Sequence, residues 1–185
     1  MAKFEDSMSI LMDLEFSSPY NALEWLKTED GYTYIGIYSV AHPSLDLWDN
    51  VRSAIDVCNG DIKKASKLLY EDNEITEAVY DFYYSTFWKP YRLNEIEEQH
   101  KADEIFIFGV NVGMKKAIKK TQELVGVVAD GIVGSKTIQA INEYDSNDFD
   151  VDFDYMEIKY YEDIVKANPK KSIYAKGWRN RAKAV

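Results

Sequence analysis

Apolar positions recur at helical spacing along most of the chain. Phe4, Met8, Leu11 and Met12 follow an i, i+4, i+7, i+8 pattern, which predicts a first helix ending near Glu15 or Phe16, before Ser17, Ser18 and Pro19. The pattern then changes: residues 31–38 are aromatic and β-branched with glycine punctuation, which predicts a short strand or hairpin. Ser44 is read as the cap of a helix carrying Leu45, Trp48, Arg52 and Ile55 and stopped at Gly60. Further helices are predicted from Asp61 to about Glu71, from Asn73 to Trp88 before Pro90, and over 94–108. Another carries Met114, Ala117, Ile118, Leu124 and Val125 and ends at Gly126. Ser135 is read as the cap of the next, with Ile138 and Ile141, and 155–167 as a last full helix before Pro169. The acid-rich run 145–154 reads as a solvated loop. It partly offers alternating oxygen ligands for calcium but lacks the turn glycine and closing glutamate. The expected fold is mainly α, an α+β arrangement in which a helical bundle and one small β element form a cleft.

Composition narrows the class. At 185 residues, with 46% hydrophobic and 14% aromatic positions, the chain can build a real core and is not a disordered or low-complexity segment. No apolar run approaches membrane-spanning length, so no stable membrane insertion is expected. Lys3, Glu5 and Asp6 interrupt the N-terminal apolar positions, unlike a secretory leader. One cysteine, Cys58, and two histidines, His42 and His100, leave no internal disulfide and no multi-histidine metal centre, and no cofactor is expected. Cys58 and His100 read as ordinary structural residues. The net charge of −10 is uneven: from Lys166 onward there are seven basic residues, Lys183 the last, and no acidic ones. The acidic body argues against duplex nucleic acid as a partner. The basic tail is expected to dock on that body or on an anionic polymer.

Candidate chemistry begins at Glu15. Eleven residues at 100° each return it to within about 20° of Phe4, on the apolar stripe and in the last helical turn. Burial and the negative end of the helix dipole both disfavour an ionised carboxyl, and a general acid needs its proton. A helix-borne glutamate facing a β element with Asp30 and Thr33 is a lysozyme-type arrangement.

These residues resemble glycoside hydrolase family 108, the N-acetylmuramidases found among phage endolysins. That family opens on Glu-Gly-Gly-Tyr after a helix, followed by Gly-Gly-x-Thr-x-x-Gly-Ile. The second motif is present as Asp30-Gly31-Tyr32-Thr33-Tyr34-Ile35-Gly36-Ile37. The first is reduced to Glu15-Phe16-Ser17-Ser18-Pro19-Tyr20, without the two glycines and with a longer gap to Thr33. Downstream, Tyr83-Tyr84-Ser85-Thr86-Phe87-Trp88-Lys89-Pro90 resembles the family's Tyr-rich segment. Phe106-Ile107-Phe108-Gly109-Val110-Asn111-Val112-Gly113 resembles its Phe-Asp-x-x-Val-Asn-x-Gly segment. Ala129 to Thr137 and Gly177-Trp178-Arg179-Asn180-Arg181 resemble its peptidoglycan-binding C-terminal part.

The resemblance implies a lysozyme-like catalytic region over 1–92 and a helical peptidoglycan-binding-like region over 93–185. It implies hydrolysis of the β-1,4 bond between N-acetylmuramic acid and N-acetylglucosamine, with peptidoglycan glycan strands as partner and the protein a monomer. Glu15 is the implied general acid, with Thr33 and Asp30 positioning the attacking water. Carboxyls ~6.5–9.5 Å apart would give inversion. Tyr34, Gly36, Tyr83, Trp88 and Asn111 are the implied substrate contacts. Alternatives stay open at several positions. Asp30 can cap its turn, Asn111 can cap a helix near Val112, and Tyr34, Tyr83, Trp88 and Trp178 can be core. Asp130 to Thr137 can be a turn and cap. The implied setting is synthesis in a host cytoplasm, holin-dependent release and action on the periplasmic wall. Two other classes fit the same residues: a non-catalytic wall-binding or virion structural protein, and a lytic transglycosylase. A pocket beside Glu15 filled by Phe16 or Tyr20 would favour the binder.

Overall fold

The computed structural model describes residues 1–27 and 30–182, so Lys183 lies outside the described residues. Of the described residues 71% are helical, and they carry one three-stranded antiparallel sheet, a mainly α, α+β fold. It divides into two compact units: Leu11–Tyr83, and Met1–Ile10 together with Tyr84–Val185. Among the described residues no helix is long and apolar enough to cross a membrane.

The unit Leu11–Tyr83 takes in the last turns of α1 (Phe4–Glu15), then β1 (Leu23–Leu26), β2 (Gly31–Tyr34) and β3 (Ile37–Tyr38). Helices α2 (Leu47–Val57), α3 (Ile62–Tyr70) and α4 (Asn73–Tyr83) complete it. Strand order is β1-β2-β3, with Leu23 opposite Tyr34, Glu24 opposite Thr33, and Tyr34 opposite Ile37. Leu11, Leu23, Tyr34, Ile37, Trp48 and Val51 are all buried in this unit's core. Ser66 of α3 ties the sheet to the preceding 3₁₀ turn, Pro19–Asn21: its hydroxyl accepts from Leu23 N and donates to Pro19 O. Strand β1 went unread in the sequence because Leu-Glu-Trp-Leu is too short for its period to be distinctive. Helix α2 starts at Leu47, not after Ser44, and its N-cap position is Asp46. Asp61 caps α3, accepting from Lys64 N at 3.1 Å.

In the other unit, a π-helical turn (Tyr84–Trp88) and short 3₁₀ turns lead into α5 (Gln99–Val112), α6 (Met114–Leu124) and α7 (Ser135–Glu143). The chain then runs through α8 (Ser146–Ala167) to α9 (Ala175–Ala182). The helix expected over Asn73–Trp88 is α-helical to Tyr83 and continues as the π-helical turn to Trp88, and the one expected over 94–108 starts at Gln99. Ser135 is already inside α7, and Gly134 holds the N-cap position.

The acidic stretch 145–154 is the largest correction. It is helix, because Phe149 and Phe153, four residues apart, are both fully buried and stack at 5.3 Å. Asp145 accepts from Asn147 N and Asp148 N and caps it. The basic tail docks on this acidic helix: Trp178 of α9 stacks on Tyr161 at 4.9 Å, and Arg179 pairs with Glu162 at 3.5 Å.

Helix α5 carries charge into this core. Lys101 is fully buried, donating to Tyr144 O at 2.7 Å and pairing with Glu98 at 2.8 Å. Asp103 accepts from Ser7 and Gln99. Glu104, 1% exposed, has no hydrogen-bond partner on either oxygen among the described residues. Burial, then the charge of Glu157, pushes its carboxyl up to about 9. Burial likewise raises Glu157 to about 7, against the opposing pull of the Tyr161 hydrogen bond and Arg181.

Candidate active site

Glu15 ends α1, and what faces it is the turn between β2 and β3. That turn has two residues, Ile35 at φ +47° and Gly36 at φ +73°. Two positive φ values in a two-residue loop make the primed turn that matches strand twist. A glycine accepts this freely, but a β-branched isoleucine is strained, by on the order of 1–3 kcal/mol. Three restraints hold Ile35 in place. Its N–H donates to Ala22 O at 2.9 Å, its carbonyl accepts from Tyr83 Oη at 2.7 Å, and its side chain is 3% exposed.

Gly36 is required for a second reason. A Cβ there would lie 2.8 Å from Glu15 Oε2 and 2.8 Å from Tyr83 Oη. The glycine lets the turn approach the carboxyl. Glu15, Gly36 and Tyr83 are thus brought together from α1, the hairpin and α4. Gly36 is exposed and Glu15 half-buried, so the carboxyl sits at the open side of the turn and not in the core.

Thr33 is half-buried on β2, directly opposite Glu24 on β1 and Tyr38 on β3, so these three share one face of the sheet. Glu24 is exposed and adds a carboxylate that the sequence reading missed. Only the β1–β2 register reveals it, and β1 carried no periodic signal. Asp30 is exposed at φ +52°, a left-handed turn conformation that aspartate tolerates, leading into β2.

Other expected contacts are placed differently. Tyr34 is fully buried, and its hydroxyl finds no hydrogen-bond partner among the described residues. Burial first, then the neighbouring Tyr70 and Asp72, raise its phenol above the ordinary range, so it stays protonated. Its ring is core and offers no face to a sugar. Tyr83, 1% exposed, acts through its hydroxyl on the Ile35 carbonyl and is not a stacking platform. Trp88 belongs to the other unit, 1% exposed, with edge contacts to Phe4 and Phe106 at 5.6 and 5.7 Å. It too is core. Asn111 lies in the last turn of α5, exposed, and its amide donates to the Tyr161 hydroxyl. It caps no helix, since α6 starts after Gly113. Asp130 accepts from Ile132 N at 2.8 Å and from Gln122, which closes the turn before α7.

The two rings that follow Glu15 turn elsewhere. Phe16 packs edge-on against Tyr70 at 5.6 Å, and Tyr20 lies under the Lys67 ammonium at 5.6 Å, 47% exposed. Among the described residues no group of three or more His, Cys, Asp or Glu is placed to hold a metal ion.

Comparison with known proteins bears on both units. No curated protein sequence matches the chain. Residues 116–183 match the family described as Predicted Peptidoglycan domain. Among solved structures, Brucella abortus SagA has a similar fold, with a TM-score of 0.64 at 18% sequence identity, covering 97% of this chain and 88% of that one. The likeness shows the fold, and the match over 116–183 supports a peptidoglycan-associated protein.

Proposed function

We propose that the protein is an endolysin-type muramidase that hydrolyses the β-1,4 bond between N-acetylmuramic acid and N-acetylglucosamine in peptidoglycan. The observation that carries this reading is the Glu15 carboxyl set against Gly36 and the Tyr83 hydroxyl, at the edge of a sheet bearing Thr33. Glu15 protonates the glycosidic oxygen as the bond breaks. Thr33, with Asp30, positions the water that attacks the opposite face of the sugar, the Asp30 carboxylate takes the proton that water gives up, and Glu24 adds a carboxylate on Thr33's side of the sheet. Proton donation from one side and water attack from the other give inversion. Tyr83 fixes the turn and thereby the carboxyl's surroundings.

Phe16 and Tyr20 are engaged by Tyr70 and Lys67, which favours the hydrolase over a binding protein whose pocket those rings fill. In the setting the resemblance implies, the protein is made in a host cytoplasm and reaches the wall through a holin. The test is turbidity loss of Gram-negative cells stripped of their outer membrane. Wild type clears them and Glu15→Gln, folded and still wall-bound, does not. Equal clearing by both would remove Glu15 from the mechanism.

A further inference from the structure

A cleft of about 280 Å³ lies between α8 and α9, entirely inside the segment that matches the peptidoglycan domain. Its walls are mostly aliphatic: Ile158 and Val165 from α8 and Ala175 from α9. Tyr161 closes one side, 5% exposed and locked by its stack with Trp178. Opposite charges stand at the rim. Glu162 and Arg179 are 3.5 Å apart with side chains 50% and 61% exposed, and Lys166 lies one turn beyond Glu162. An ion pair that exposed contributes little, so a ligand can replace it at small cost.

This lining selects against a bare glycan. Sugar rings are neutral and hydroxyl-rich, whereas the cleft offers aliphatic contact between a cation and an anion. It fits a short peptide with small methyl side chains, a carboxylate for the Arg179 fork and an ammonium for Glu162. Peptidoglycan carries such a peptide on its muramic acid: alanines, an acidic residue and a diamino acid. We infer that the α8–α9 cleft binds the peptide stem of peptidoglycan, through Arg179 and Glu162 at the rim and Val165 and Ala175 within. The inference rests on the peptidoglycan reading and extends it from the glycan to the peptide.

The test is isothermal titration of the full chain carrying Glu15→Gln, so that nothing turns over. The probes are a free alanine–glutamate–diaminopimelate–alanine peptide and chitotetraose, which has sugar and no peptide. The peptide is expected to bind and to lose about tenfold in affinity with Arg179→Gln, as expected for one charge-assisted contact. Ala175→Trp, which fills the cleft, is expected to abolish peptide binding and leave any chitotetraose binding unchanged, with circular dichroism confirming that both variants are folded. No peptide binding, or binding indifferent to both substitutions, would overturn the inference. So would self-association in sedimentation that Ala175→Trp removes without any peptide binding, which would assign the cleft to a second copy. Peptide binding by a protein that cleaves no wall would leave this inference standing and remove the hydrolase reading alone.

Discussion

Gly36 is where backbone and chemistry meet. Its φ of +73° and the 2.8 Å approach to the Glu15 carboxyl are separate reasons for the same residue. Gly36→Ala is expected to cost about 1 kcal/mol or more in denaturant unfolding and to lower kcat sharply, because either the turn or the carboxyl must move. Tyr83→Phe removes the donor to a buried carbonyl and is expected to cost ~1–3 kcal/mol. The glycine was legible in the sequence as part of a motif, but its purpose was not, because the group it admits lies twenty-one residues away on another element. Tyr34 and Trp88 show the converse. An aromatic in a motif is equally consistent with core and with a binding face, and only three-dimensional packing decides.

At the scale of elements, local pattern and tertiary burial compete. Helix α1 and the strands at 31–38 were legible because period and punctuation agree there. The first turns of α8 were not. Four aspartates between 145 and 152 suggest solvent, yet Phe149 and Phe153 bury one side of the helix. Phe153→Ala is expected to cost ~3–5 kcal/mol, read by chemical denaturation. Helix α5 hides a second competition, since its buried Glu104 faces Glu157, Asp154 and Asp150 of α8 and Asp103 of α5. A carboxyl raised from 4.5 to about 9 keeps its proton in the folded state and loses it on unfolding. Its contribution is therefore full below pH 4.5 and is lost as pH rises toward 9, by at most ~1.4 kcal/mol per pH unit. Glu157 acts with the same sign up to about pH 7. Glu104→Gln is expected to flatten stability between pH 5 and 9 and to raise it at pH 8, measured by urea unfolding at each pH. A parallel pH dependence in wild type and variant would contradict the assignment.

For the whole molecule, the uneven charge finds a structural use. A chain of net charge −10 sets Arg179 of its basic C-terminal segment against Glu162 of the acidic α8, so part of the tail's charge serves internal docking. The mainly α fold with one small sheet follows from helical periodicity broken once by an aromatic, glycine-punctuated segment, and that much is read directly from the chain. The division at Ile10/Leu11 and Tyr83/Tyr84 is not, because α1 runs across the first boundary and the helical turn at Tyr84 continues from α4 across the second. No composition shift marks either point.

Hydrolysis with Glu15 as the acid leaves its mark in the chemistry of the product ends. Purified peptidoglycan sacculi are digested with wild type and with Glu15→Gln, and the soluble fragments are read by mass spectrometry. Wild type is expected to release fragments ending in reducing N-acetylmuramic acid, and Glu15→Gln none. Anhydro-muramic ends would make the protein a lytic transglycosylase, and reducing ends from both proteins would contradict the role given to Glu15.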